Sequence, residues 1–244
     1  MNKNYIYRSI LAYFQTFCNR NFGVYFSVKY TEYRRFLDRR YAMRYNIYNE
    51  SHVKWEKTTR RGRTFMLEKI LVFDTETTGF RSDDEVLTLA VVDGSGATVV
   101  DGMYAPVRKS AWPDAEKINR ISPAMVADCP PIRTQQAELE RLFNDPNTLL
   151  VGYNIEFDIR LLAQSGIRIT NSNRHDVMLA FSEFRKVPDA RRGGYRWWKL
   201  TECADYYRYN WGTTQAHGAL ADTLATLYCY QKMQQPVYEE QSLF

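Results

Sequence analysis

Two acidic side chains, Asp74 and Glu76, directly follow an apolar run at residues 70–73. Residues two apart in a β-strand point to the same face of a sheet, so these two carboxylates can converge on one site. Paired carboxylates bind hard cations such as Mg²⁺. The motif Asp-x-Glu is weak alone, because it occurs by chance about once in a few hundred residues. The polar turn at residues 75–79 strengthens it, because functional sites gather where strands give way to loops.

Two further segments place polar groups next to apolar elements. Asn154 and Asp158 follow an apolar run at residues 149–151 and, being four apart, share one face of a helix. Further on, His217 precedes Asp222 by five residues at the start of another apolar-periodic helix. Each residue also has a simpler interpretation: Asn154 as a helix N-cap, Asp158 as a solvated side chain, and His217 as a cap or packing residue.

Together these groups predict a site for two divalent cations about 4 Å apart, which would activate water and stabilise a leaving oxygen. Oxygen ligands favour Mg²⁺ or Mn²⁺ over zinc. Carboxylates crowded into one pocket repel one another unless cations bind between them. The histidine suits the role of general base, since its ordinary pKa lies near neutrality. The predicted catalytic set consists of Asp74, Glu76, Asp158, His217 and Asp222.

The elements that must position these residues alternate between strand and helix patterns. Strands are expected at residues 69–73, 86–92, 98–104 and 148–152, with a short one at 168–171. Helices are expected at residues 122–126, 132–143, 155–165, 177–184, 199–206 and 216–233. A strand hairpin followed by this alternation indicates an α/β architecture, a mixed β-sheet flanked by helices.

The first 65 residues differ from the rest of the chain. They hold 16 of the 36 aromatic residues, and residues 1–69 carry 15 basic and 5 acidic side chains, whereas residues 70–244 carry 18 and 23. We expect a basic, aromatic-rich extension with short helices at 6–17 and 30–41 and a linker at 57–63, then a catalytic domain at 66–233 and a frayed tail at 234–244. The extension could grip nucleic acid through arginines and stacking tyrosines, or simply form a helical appendage. Translation could also start at Met66.

Composition excludes several classes of protein. The four cysteines form no Cys-x-x-Cys pair, which argues against a zinc site and a disulfide framework and fits a reducing cytosol. No apolar run approaches the roughly 18 residues that a membrane helix needs. These features predict a cytoplasmic protein that does not enter a membrane.

Three motifs resemble those of the DnaQ-like, or DEDDh, 3′–5′ exonucleases, a family that includes the proofreading epsilon subunit of bacterial DNA polymerase III. They are Phe73-Asp-Thr-Glu-Thr-Thr-Gly79, Asn154-Ile-Glu-Phe-Asp158 and His217-Gly-Ala-Leu-Ala-Asp222. Their order and spacing match, and the histidine five residues before the last aspartate resembles the DEDDh branch rather than the tyrosine-bearing one. The resemblance implies a ribonuclease H-like fold in which the four acidic residues hold two metals and the histidine deprotonates the attacking water.

The resemblance also implies which residues bind substrate and where the chain departs from the family. Thr75, Thr77, Asn154 and Phe157 are expected against the terminal nucleotide. At residues 118–122 many relatives have a histidine-glycine pair, which this chain lacks.

The implied activity is removal of nucleotides from the 3′ end of single-stranded DNA. RNA 3′ ends or short oligoribonucleotides are the alternative substrates. A hypothesis from another class is a non-catalytic nucleic-acid-binding or polymerase-associated subunit, although the intact catalytic set argues against lost activity. A polymerase or other protein partner is compatible both with an active exonuclease and with a non-catalytic subunit.

Some lesser features carry two interpretations each. The basic loop at residues 185–194, with the run Arg191-Arg-Gly-Gly-Tyr-Arg196, is either a flexible connection or a segment over the site that touches phosphate. Trp197 and Trp198 are predicted to be packing anchors rather than platforms for bases. His175 is predicted to be a surface or structural residue.

Overall fold

The computed structural model describes residues 69–212 and 218–235, together with three short strands between residues 41 and 67. The chain divides into two compact units, Met1–Glu68 and Lys69–Phe244. In the first unit, strands β1 (Tyr41–Ile47), β2 (Val53–Thr59) and β3 (Thr64–Leu67) form an antiparallel sheet in the order β1-β2-β3.

The described part of this first unit is strand where the sequence predicted helix or linker. Residues 57–59, which were expected in a linker, continue β2, and Tyr41, the last residue of an expected helix, begins β1. Valine, isoleucine, threonine, tyrosine and tryptophan are common in these segments and favour strands over helices. The expected helix at 6–17 and the rest of the one at 30–41 lie outside the described residues.

The second unit is built on a five-stranded mixed sheet. Its strands, in the spatial order β6-β5-β4-β7-β8, are β4 (Lys69–Thr77), β5 (Val86–Asp93), β6 (Thr98–Met103), β7 (Thr148–Gly152) and β8 (Arg174–Asp176). The central strand β4 runs antiparallel to β5 and parallel to β7. The predicted mixed α/β sheet is therefore confirmed, and β4 continues beyond its predicted end so that Asp74 and Glu76 lie within it.

The short strand predicted at 168–171 is wrong, because the edge strand lies a few residues later at β8. Two asparagines hold the segment before it as a loop. Asn144 Oδ1 accepts hydrogen bonds from the backbone N–H groups of Thr170 (2.6 Å) and Asn171 (3.2 Å). The side chain of Asn171 in turn donates to the carbonyls of Phe143 and Thr148. Side-chain amides thus satisfy the backbone groups that a strand ladder would otherwise use.

Seven α-helices lie among the described residues of the second unit, and the first of them was not predicted. They are α1 (Pro113–Asn119), α2 (Pro123–Val126), α3 (Gln136–Phe143), α4 (Ile155–Gln164), α5 (Val177–Arg185), α6 (Leu200–Tyr206) and α7 (Ala219–Gln234). The helix expected at 132–143 begins as a 3₁₀ turn, Ile132–Gln135, and the basic loop folds into a two-stranded hairpin, β9 (Pro188–Asp189) and β10 (Gly194–Tyr195). No helix in the described ranges is long and apolar enough to cross a membrane.

The helices cover both faces of the sheet. Leu71 and Phe73 of β4 join Leu150 of β7 in a core cluster that also contains Ile155 and Leu162 of α4. Helix α7 contacts β4, β5 and β7. Because alternate residues of a strand face opposite sides, Asp74 and Glu76 share the sheet face of Val72, opposite to Leu71 and Phe73. The sequence pattern of β4 therefore decides which face carries its acids.

Candidate active site

Three carboxylates from two elements converge at the carboxyl end of the central strand. Asp74 and Glu76 come from β4, where the pairing with β5 shifts register between Glu76 and Thr77. Asp222 lies in the first turn of α7. One oxygen of each of these three side chains lies within 4.8 Å of the other two, and all three side chains are half-buried. The strand and the helix thus bring together acids that are almost 150 residues apart in the chain.

The fourth predicted carboxylate, Asp158, is fixed to β4 by a neighbour of the acidic pair. Asp158 is 2% exposed. Its Oδ1 accepts hydrogen bonds from both the backbone N–H of Thr75 (3.1 Å) and the hydroxyl of Thr75 (2.6 Å). Thr75 lies between Asp74 and Glu76, so these two bonds tie α4 to the strand that carries the pair. Thr75 therefore links Asp158 directly to the strand that carries Asp74 and Glu76.

The pKa values show that the four carboxylates, which we call the acidic cluster, share one electrostatic field. Burial raises the pKa of Asp74 well above its ordinary value, and Asp158, Asp222 and Glu76 raise it further. Burial, followed by the charges of Asp222 and Asp158, raises the pKa of Glu76 to about 7. Burial also raises the pKa of Asp158 to about 7, against the hydrogen bonds from Thr75 that lower it. Crowded, desolvated carboxylates behave in this way when no cation neutralises them.

Asn119 is a site residue that sequence reasoning missed. Its Nδ2 donates to the carbonyl of Thr77 (3.1 Å), and its Oδ1 accepts from the N–H of Ile121 (3.0 Å). A hydrogen bond from Asn119 lowers the pKa of Glu76. Asn119 ends the unpredicted helix α1, within the stretch where the chain departs from the family pattern. Pro113 at the first position of that helix was the signal that could have located it.

Asp176 is a second missed residue, and it organises the start of two helices. Its carboxylate accepts from the N–H groups of Asn154 and Ile155, each at 3.2 Å, and from the N–H of Leu179 at 3.1 Å. Asn154 itself adopts the left-handed conformation (φ 62) just before α4. Asp176 thereby orients the helix that carries Asp158.

The nucleotide contacts expected of Thr75, Thr77, Asn154 and Phe157 stay a prediction. Thr77 donates its hydroxyl to the carbonyl of Gly79 (2.7 Å), and Phe157 packs at the margin of the core beneath Arg160 (5.2 Å). Asn154 occupies the N-cap position, but its side chain makes no capping bond. His217 lies outside the described residues, in the connection between α6 and α7.

The other histidine of this unit is structural. His175 of β8 contacts Tyr230 edge to face, with ring centres 5.1 Å apart. Burial lowers its pKa to about 4, so it is neutral at physiological pH.

A mixed sheet with helices on both faces and acids clustered at the end of its central strand defines a nuclease-type fold of the ribonuclease H-like class. The RNase_T exonuclease family model matches residues 71–230, and the chain belongs to this family of exonucleases. The predicted DnaQ-like resemblance is thereby confirmed at the level of the family.

Relatives and solved structures agree with this assignment. The chain is 27% identical over 179 residues to the uncharacterized exonuclease CP81 of Escherichia phage 186, covering 69% of this chain and 90% of that protein. Exonuclease X in complex with 5′ overhanging duplex DNA has a TM-score of 0.52 at 22% identity, covering 67% of this chain and 90% of that one.

Two exonuclease I structures share the same fold over a smaller part of their length. The enzyme from Methylocaldum szegediense has a TM-score of 0.52 at 22% identity, and E. coli exonuclease I in complex with a dT13 oligonucleotide has a TM-score of 0.52 at 18% identity. Each alignment covers 68% of this chain but only 41% of the exonuclease I chain. The likeness confirms the predicted ribonuclease H-like fold.

Proposed function

We propose that this protein is a metal-dependent 3′–5′ exonuclease that removes nucleotides one at a time from single-stranded DNA. The observation that carries the proposal is the convergence of Asp74, Glu76 and Asp222, with Asp158 held alongside through Thr75, in a chain of the exonuclease family. DNA is favoured as substrate because exonuclease X and exonuclease I, which share the fold, are described in complexes with DNA.

The acidic cluster fits divalent cations by the chemistry of its donors. Its oxygens are close and are half-buried or buried, and Mg²⁺ and Mn²⁺ prefer such oxygen ligands. Asp74, Glu76, Asp158 and Asp222 would hold two ions. When bound, these ions would supply Lewis-acid stabilisation of the phosphate and a lowered pKa for a water molecule.

The protein's own residues would then position the reaction. The hydrogen bonds from Thr75 fix Asp158 in place and favour its ionised form, and a hydrogen bond from Asn119 favours the ionised form of Glu76. His217 would accept the proton of the attacking water as general base. The water oxygen attacks phosphorus while the bond to the 3′ oxygen breaks, which releases a nucleoside 5′-monophosphate and leaves a 3′ hydroxyl on the shortened strand. Backbone near Thr75 and Thr77, with Asn154 and Phe157, would contact the departing nucleotide.

The test uses 5′-labelled and 3′-labelled dT20 with the full-length protein in Mg²⁺ or in EDTA. We expect stepwise shortening of the 5′-labelled strand, early release of the 3′ label as a mononucleotide, and no reaction in EDTA. Asp74→Asn should lower the rate on the order of 10³-fold, because it removes a charged ligand from the metal site. Asp101→Asn, which changes an exposed carboxylate on β6, is the matched control and should react like the wild type.

Release of mononucleotides from the 5′ end, or full activity of Asp74→Asn, would contradict the proposal. Parallel digestion of rU20 decides the sugar preference, and faster cleavage of RNA than of DNA would assign the protein to RNA 3′ ends. Association with a polymerase is a separate hypothesis, which co-elution of the two purified proteins would test.

A further inference from the structure

Arginine and tryptophan side chains stack on one another in the β9–β10 hairpin and directly after it. The guanidinium of Arg192 lies 4.0 Å from the ring centre of Trp197, and that of Arg196 lies 4.1 Å from the ring centre of Trp198. Trp197 nevertheless remains 45% exposed. With almost half of its surface exposed, Trp197 is not the packing anchor that the sequence predicted.

A second layer of aromatic side chains holds this pair in place. The guanidinium of Arg185 lies 4.7 Å from the Trp198 ring and 4.6 Å from the Tyr206 ring. The buried Phe181 ring packs against both, with centres 6.0 Å from Trp198 and 5.4 Å from Tyr206. Trp198 is therefore the packing anchor that the sequence predicted, and it fixes the backbone next to the exposed Trp197.

Residues 185–199, which we call the arginine–aromatic surface, are basic within an acidic unit. They contain six basic side chains and one acidic one, whereas residues 70–244 as a whole carry 18 and 23. Arg192 pairs with Asp189 (3.4 Å) and Arg196 with Glu202. Lys186 and Arg191 form no ion pair with any residue that the structure describes. The surface thus offers positive charge to a partner from outside the protein.

The arginine–aromatic surface is anchored at the end of the sheet that carries the acidic cluster. The hydroxyl of Tyr153 donates to the carbonyl of Trp198 (2.9 Å). Val72 of β4 and Val151 of β7 form the last pair of these parallel strands. Asp74 lies two residues after Val72, and Tyr153 lies two residues after Val151. The tyrosine that holds Trp198 therefore leaves the sheet beside the strand position of Asp74.

We propose that the arginine–aromatic surface binds the unpaired strand of the nucleic acid a few nucleotides to the 5′ side of the residue being removed. A base would stack on Trp197, and Lys186 and Arg191 would neutralise phosphates. Stacking on an aromatic ring together with basic side chains is how proteins hold single strands without reading sequence. The charge and the flat exposed ring favour this occupant over an acidic protein. The inference rests on the proposed function for its direction, but the binding can be measured separately.

The binding experiment uses full-length protein in the Asp74→Asn background, so that fluorescent dT20 and rU20 are not consumed. Trp197→Ala should weaken binding of dT20 about tenfold, and Trp197→Phe should restore most of it, because stacking needs an aromatic face. Lys186→Ala/Arg191→Ala should lower the slope of log affinity against log salt by about 1.4, the value for two phosphate contacts on a single strand. Lys117→Ala/Arg141→Ala removes the same charge from other exposed positions and should leave the slope unchanged.

The kinetic experiment uses protein that retains Asp74 and compares dT20 with the p-nitrophenyl ester of thymidine 5′-monophosphate as substrates. The ester fills only the terminal site, so Trp197→Ala should raise the KM for dT20 at least fivefold more than the KM for the ester. Equal losses on both substrates would mean that the surface acts through the fold of the active site and would overturn the inference. Unchanged affinity for both dT20 and rU20 would also overturn it and would favour a protein occupant.

These outcomes separate the two proposals. A wild-type protein that binds dT20 through Trp197 but releases no nucleotide contradicts the proposed function alone. A wild-type protein that degrades dT20 with no effect of Trp197→Ala contradicts the inference alone.

Discussion

The acidic cluster and the arginine–aromatic surface lie at the same end of one sheet. The first gathers negative charges, whereas the second gathers positive charges. In the acidic cluster, Asp74, Glu76 and Asp222 lie within 4.8 Å of one another, and burial is the main cause that raises the pKa of Glu76 and of Asp158 to about 7. On the arginine–aromatic surface, the cations lie 4.0–4.7 Å from aromatic ring centres that attract them. The first arrangement needs an ion from solution, whereas the second is stabilised by the protein itself.

This difference indicates how binding and chemistry can be separated in one domain. Thr75 donates a hydrogen bond to Asp158, and a hydrogen bond from Asn119 lowers the pKa of Glu76. Both donors are neutral, so they do not cancel the charge that attracts cations. The arginines pack against rings, and Arg192 and Arg196 also pair with carboxylates. Lys186 and Arg191, which form no ion pair among the described residues, therefore supply the charge that attracts phosphates. Changes in the acidic cluster should therefore act equally on all substrates and depend on metal, whereas changes in the arginine–aromatic surface should act on long strands and depend on salt.

The largest expected effect is that of His217→Gln. A general base contributes about 10²- to 10⁴-fold to the rate, and the loss should be the same for dT20 and for the small ester. Initial rates at saturating Mg²⁺ would measure it. His52→Gln, in the N-terminal extension, is the matched control. A loss below threefold would remove His217 from the mechanism, and a loss confined to dT20 would move it from chemistry to strand binding.

The next effect is the dependence of stability on pH and magnesium. The raised carboxyl pKa values mean that, between about pH 4.5 and 7, the folded protein holds protons that the unfolded chain has lost. The acidic cluster therefore makes the metal-free protein less stable as the pH rises, by about 1.4 kcal/mol per pH unit for each group that titrates. Since Mg²⁺ binds the ionised form, the gain in melting temperature from Mg²⁺ should be small at pH 5 and several degrees at pH 8.

Comparing melting curves with and without Mg²⁺ at each pH separates the contribution of the acidic cluster to stability from the contribution of His175. The lowered pKa of that buried histidine acts in the opposite direction, because its stabilising contribution is lost as the pH falls from about 6.5 towards 4. The histidine contributes equally in both curves. Asp74→Asn should reduce the gain in melting temperature from Mg²⁺ at pH 8, and Trp197→Ala should not. A gain that is independent of pH would contradict the claim that Mg²⁺ binds the ionised carboxylates.

A smaller effect is expected for Thr75→Val, which removes the 2.6 Å hydroxyl bond to Asp158 but keeps the backbone bond. The rate should fall about tenfold and the acid limb of its pH profile should move to higher pH, because this bond lowers the pKa of Asp158. Thr75→Ser should restore both. Thr88→Val is the matched control, since the Thr88 hydroxyl is buried and has no hydrogen-bond partner among the described residues. An unchanged pH profile in Thr75→Val would show that the bond only supports the fold.

The smallest effect is expected for Arg185→Met, on the arginine–aromatic surface. Losing the contacts of Arg185 with Trp198 and Tyr206 should lower the free energy of unfolding by about 1 kcal/mol. The loss should be the same with and without Mg²⁺, in contrast to changes in the acidic cluster. Urea titration measures it, with Arg141→Met on the surface of α3 as control. A Mg²⁺-dependent loss would show that the two regions are coupled rather than separate.

The sequence by itself predicted the mixed sheet and the positions of the acids along it. Asp74 and Glu76 follow a buried strand with the two-residue period of its faces, and Asp158 and Asp222 lie near the starts of helices with an apolar period. These signals are local, because strand and helix periods are encoded within a few residues. The ribonuclease H-like family resemblance followed from the same segments.

Only the tertiary structure decided which distant groups meet. Asn119 touches Thr77 from a helix that the sequence pattern did not reveal, and Asp176 reaches the start of α4 from the edge strand. The loop at residues 168–171 has a strand-like pattern, yet the side-chain amide of Asn144 binds its backbone instead. Hydrogen bonds between residues far apart in the chain leave no local period in the sequence. The acids could therefore be found by pattern, whereas the neutral donors that hold them and the rings that hold the arginines required the fold.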